Sequence, residues 1–111
     1  MRCSVMFEIS IDEFKAFCDS YVVSKNPLVF KSIPAKEKRK YIMLCIIIHH
    51  FHMNKNYSEK EINDILKPMV DDYVMIRRYF IDYGFMGRTD NGKSYWLEKN
   101  PNDFSQFRLL D

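Results

Sequence analysis

Tyr41 to Ile48 is an unbroken apolar run, Tyr-Ile-Met-Leu-Cys-Ile-Ile-Ile, and it constrains the fold more than any other segment. It falls well short of the roughly 20 residues that cross a bilayer. Tyr41, Leu44, Ile47, Ile48 and Phe51 recur at helical spacing, so the run predicts a buried, central helix. Pro34 sits where that helix would begin, and Asn54-Lys55-Asn56 breaks it. The remaining chain must supply its cover. With 111 residues there is material for one core, and a hydrophobic content of 47% makes disorder a poor description.

Ser10-Ile11-Asp12-Glu13 has the capping-box pattern, a Ser that accepts an orphan backbone N–H and a Glu three residues on that reaches back. The apolar stripe Ile11, Phe14, Phe17, Cys18, Tyr21 and Val22 then predicts an N-terminal helix ending near Val23, ahead of Asn26-Pro27. Ser58-Glu59-Lys60-Glu61 repeats the box and opens a short helix through Ile62, Ile65 and Leu66, with Pro68 marking its end. Asp71 or Asp72 caps a further helix. Its stripe is Tyr73, Ile76, Arg77, Phe80 and Tyr83, and Gly84 suits the left-handed position at its end. Phe85 to Arg88, then Thr89-Asp90-Asn91-Gly92, then Lys93 to Leu97 reads as strand, turn and strand.

Helix, short helix, tight connection, helix and hairpin is the order of a winged helix-turn-helix. The expected fold is therefore α+β: a three-helix unit with a C-terminal β-hairpin wing, and an additional N-terminal helix. Residues 1–111 form a single winged-helix-like domain: an N-terminal helix and connector over 1–30, the winged-helix unit over 31–99 and a tail over 100–111. In the tail, Phe104, Phe107, Leu109 and Leu110 should pack on the domain or on a second copy. Tyr95-Trp96 should alternate, with at least one ring in the core, and Trp96 is expected to be largely buried.

The stretches Ile33-Pro34-Ala35-Lys36-Glu37-Lys38, Tyr57 to Leu66, Asp72 to Phe85, and Arg88 with Tyr95-Trp96 together resemble a bacterial family, domain of unknown function two-zero-eight-seven. That domain occurs alone or attached to helix-turn-helix transcription regulators. The resemblance spans roughly residues 10 to 99. It implies a winged-helix fold and an association with transcription, and it carries over no activity. Ile76 and Met86 stand where the family's usual look has Leu, an exchange a core tolerates.

Charge gives the candidate site. The net charge is +2, from 17 Lys and Arg against 15 Asp and Glu, too near balance to imply a polyanion partner by itself. Locally, Lys36, Lys38, Arg39 and Lys40 cluster at a helix start, where the macrodipole disfavours cations, so either a solvated face or a phosphate contact would account for them. Arg78 on the last helix and Arg88 and Lys93 on the hairpin complete the candidate nucleic-acid-binding set. Asp71, Asp72 and Asp82 outnumber Arg77 and Arg78 on that helix, which opposes ordinary major-groove reading. Arg77 falls on the apolar stripe and is expected to pair internally with an acid of a neighbouring helix.

The expected function is a non-enzymatic, nucleic-acid-associated regulatory domain, contacting DNA mainly through phosphates. The alternative is a protein-interaction or dimerisation module on the same scaffold. No nucleophile elbow, phosphate loop or paired-acid motif marks an enzyme. Cys45, His49 and His52 lie along one helix edge and cannot wrap a tetrahedral ion, so no metal and no other cofactor is expected. The odd set Cys3, Cys18 and Cys45, without CxxC and with no apolar signal segment in Met1 to Ile11, fits reduced thiols in a cytoplasmic protein with no membrane partner.

Overall fold

A computed structural model of the chain describes residues 7–109; the expectations for Cys3 and Leu110 lie outside the described residues. It is a mixed α+β fold. Its α-helices are α1 (Ile11–Tyr21), α2 (Glu37–Ile47), α3 (Glu59–Leu66) and α4 (Tyr73–Asp82). Its two antiparallel pairs are β1 (Val22–Lys25) with β2 (Leu28–Phe30), and β3 (Met86–Arg88) with β4 (Tyr95–Leu97). Short 3-10 segments follow α2 (Ile48–His50) and close the chain (Pro101–Phe107).

α2 is the centre. Every residue from Tyr41 to Ile48 is at most 2% exposed. A helix apolar all round must be covered all round. The cover comes from α1, α4 and the C-terminal 3-10 segment, all of which pack on α2. Phe104 and Phe107 bury themselves within this domain, and Phe104 stacks on Phe85 with ring centroids 5.4 Å apart. Leu109 packs against the same core.

Both capping boxes form. Ser10 accepts from the Glu13 amide and Ser58 from the Glu61 amide, while each Glu side chain accepts from the backbone N–H of its Ser. Asp72, the second of the two candidates, caps α4 by accepting from Met75 N–H. Gly84 follows α4 at φ +78°. There the Phe85 amide donates to the Phe80 carbonyl at 2.9 Å and the Gly84 amide to Ile81 at 3.1 Å, the paired bonds of a Schellman end.

Three expectations are corrected. The residues after α1 form a β-hairpin with Asn26-Pro27 at its turn. Val22 and Val23 extend the α1 stripe in sequence, but Leu28 and Phe30 need a strand to reach the core, and the Phe30 amide donates to the Met69 carbonyl at 2.7 Å. The central helix begins at Glu37, after a lead-in that buries Pro34, where the missing N–H of proline costs nothing. Its α-helical part ends at Ile47, ahead of His49 and His52. In the Tyr95-Trp96 pair, Tyr95 is the core ring, 4% exposed. Trp96 is half-buried on the outer face of the hairpin, outside the core cluster, with Nε1 donating to Glu98 Oε2 at 2.8 Å. Strand alternation forces that division once Leu97 faces the core.

Candidate nucleic-acid interface

α4 is held by its apolar stripe, Ile76 and Phe80 being at most 1% exposed. Arg77 shares that side. Its guanidinium donates to Asn63 Oδ1 and lies 3.8 Å from Glu59 Oε1, both on α3, so it is an internal tie, as its place on the stripe predicts. Arg78, one position on, is 75% exposed and stands 3.6 Å from Asp82 Oδ2 across one helical turn.

The hairpin turn faces this side of α4. A cleft of about 520 Å³ between α4, the start of α3 and the turn is lined by Arg77, Arg78 and Arg88, together with Glu59, Asp82 and Asp90. Arginines and carboxylates thus meet in equal number there. Arg88 folds back on its own turn, donating to the Thr89 and Asp90 carbonyls at 3.1 and 3.3 Å. Thr89 and Asn91 accept from the amide of Lys93, which leaves that side chain exposed at the tip.

The other candidates lie elsewhere. Lys36, Lys38 and Arg39 line a separate cleft against α1 that shares no residue with the first. There Lys38 Nζ pairs with Glu13 Oε2 at 2.6 Å. The Lys38 bond first, and then the Ser10 amide, lower the Glu13 carboxyl to a pKa of about 2. Lys40 lies over the Tyr79 ring, 4.9 Å from its centroid. Beside it, Tyr83 donates to Glu37 Oε1 at 2.8 Å, and burial together with Glu37 pushes that phenol upward. The seven candidate cations therefore divide between two clefts, the hairpin tip and an aromatic ring.

Sequence reasoning passed over Val74 and Met75, which are 50% and 37% exposed on α4. Their only signal is their position between the stripe residues Tyr73 and Ile76. Cys45, His49 and His52 are not gathered. Cys45 is fully buried, His49 Nε2 bonds the Phe104 carbonyl at 2.8 Å, and the His52 backbone amide donates to the Tyr57 hydroxyl. Among the described residues no three His, Cys, Asp or Glu side chains are grouped to hold a metal. Among them, too, no helix is long and apolar enough to cross a membrane.

Residues 29–97 match the family model described as uncharacterized protein conserved in bacteria, DUF2087. The chain belongs to this family. The match starts at the end of β2 and runs to the last residue of β4, so the DUF2087 unit comprises α2, α3, α4 and the C-terminal hairpin, with α1, most of the first hairpin and the C-terminal 3-10 segment outside it. Neither the curated proteins nor the solved structures contain a match.

Proposed function

We propose that the DUF2087 unit is a winged helix, and that this chain is a non-enzymatic regulatory domain that holds duplex DNA chiefly through phosphates. The observation that carries the reading is the bridge between Tyr57 and Tyr95. The amide of each donates to the carbonyl of the other, at 2.7 and 2.8 Å. The bridge ties the segment between α2 and α3 to the second strand of the hairpin. With the order α2, α3, α4, β3, β4, that tie supports reading the hairpin as a wing and α4 as its recognition helix. Arg78, Arg88 and Lys93 are then the cations available to a backbone, and contacts made to phosphates are sequence-tolerant.

Such binding releases counterions, so log affinity falls linearly with log salt, with slope about −0.9 per phosphate neutralised. Three contacts give a slope of roughly −3. Recruitment of Lys36, Lys38, Arg39 and Lys40 as well would steepen it to about −6. Fluorescence anisotropy on a random duplex measures both values, and Arg78→Glu should weaken all duplexes alike. Failure of the folded protein to bind near 50 mM salt, the low-salt end of the range where such binding is strong, refutes the reading.

Exposed Val74 and Met75, and the engagement of Arg78 and Arg88 within the chain, favour a second reading: α4 docks on a protein partner or a second copy. In that case duplex binding is negligible, and Met75→Asp abolishes self-association in light scattering.

A further inference from the structure

The α1–α2 cleft differs from the α4 cleft in kind. Its volume is about 300 Å³, at the lower end of ligand pockets, which run from roughly 300 to 1,000 Å³. Its floor is apolar: Phe17 and Ile42, each 2% exposed, underlie it, and Tyr21 stacks on Phe17 with centroids 5.1 Å apart, while Glu13 and Ser20 add polar groups to its wall. Its rim is cationic. Glu13 neutralises Lys38, whereas the side chains of Lys36 and Arg39 have no hydrogen-bond or ion-pair partner among the described residues. These two stand three positions apart, close enough for like charges to destabilise one another.

We propose that this cleft binds a small organic anion, a carboxylate or phosphate head joined to an apolar body about one ring in size. Lys36 and Arg39 hold the head, while Phe17, Tyr21 and Ile42 cover the body. An apolar enclosure with a few convergent polar groups is how small-molecule sites are built. A nucleic-acid backbone, by contrast, offers the cations a phosphate but nothing for the rings. The proposal is independent of duplex binding, since the two clefts share no residue.

The test is an amide chemical-shift titration of the full chain with phenyl phosphate, benzoate, inorganic phosphate and phenol. Phenyl phosphate or benzoate, whichever head the site prefers, should saturate and move the amides of Ala16, Ser20, Tyr21 and Ile42. It should bind roughly tenfold more tightly than inorganic phosphate or phenol, because head and body each contribute. The double variant Lys36→Glu, Arg39→Glu should lose at least about tenfold in affinity, both sites being on the exposed rim where folding is unaffected. Glu13→Gln keeps a capping side chain and frees Lys38, so it should bind more tightly than the parent. The proposal is overturned by unsaturable shifts with both ring-bearing anions. Binding of inorganic phosphate as tight as that of phenyl phosphate overturns it too.

Discussion

Replacing Tyr95 by Ala should be among the most destabilising changes in this chain, while the same change at its larger neighbour Trp96 should be mild. An aromatic side chain buries roughly 150–250 Å², which at about 25 cal/mol/Å² is about 4–6 kcal/mol for full burial. Tyr95 is 4% exposed, so nearly all of that applies. Retention of Cβ brings the loss to about 3–5 kcal/mol, the usual range for an aromatic truncated in a core. Against a total stability of about 5–15 kcal/mol this is a large share. Trp96 is outside the core cluster, and its removal should cost about 1 kcal/mol. Tyr95→Phe deletes only a long contact to Glu59, 3.5 Å, and should cost under about 1 kcal/mol. Urea unfolding followed by far-ultraviolet circular dichroism reads the difference. With a slope of about 2 kcal/mol/M, Tyr95→Ala lowers the midpoint by about 1.5–2.5 M. A midpoint for Tyr95→Ala within about 0.5 M of the parent would refute the argument. So would a Trp96→Ala midpoint as low as that of Tyr95→Ala.

Gly84 holds φ +78° with open space where a Cβ would stand, so Gly84→Ala should cost about 1–2 kcal/mol through backbone strain alone. Gly84→Asn should recover part of that loss in the same urea series, since Asn tolerates the left-handed region. Glu13 has a folded pKa of about 2 against an ordinary 4.5, so its contribution is complete above pH 4.5 and is lost as pH falls toward 2. Thermal melts across that window should show a shallower acid decline for Glu13→Gln than for the parent. Burial pushes the Cys45 thiol far above its ordinary value, and a thiol reagent should label it, by peptide mass mapping, only as the domain unfolds. The half-buried Cys18 should react sooner. Equal labelling of the two in native buffer would contradict the burial of α2.

Much of the fold was legible because its signals are local. A capping box depends on four consecutive residues, so Ser10 to Glu13 and Ser58 to Glu61 announced α1 and α3 without reference to anything distant. Gly84 marked the end of α4 for the same reason. The apolar run from Tyr41 to Ile48, with its helical spacing, identified the central helix. The first hairpin was illegible because its turn, Asn26-Pro27, carries no glycine and reads as a helix stop, and its strands, Val22–Lys25 and Leu28–Phe30, exist to put Leu28 and Phe30 into a core assembled from distant segments.

The site divides in the same way. Sequence supplied every cation, and the position of Arg77 on an apolar stripe announced its internal pairing. Proximity in sequence could not say which cations share a face. Lys38 and Lys40 are two apart, yet one meets Glu13 on α1 and the other the Tyr79 ring on α4, because successive sides of a central helix face different neighbours. Sequence therefore determined that four helices exist, the caps of α1, α3 and α4, and the stock of charges. Packing around α2 decided which charges stand together, because a side chain's surroundings are set by the elements its helix is buried among.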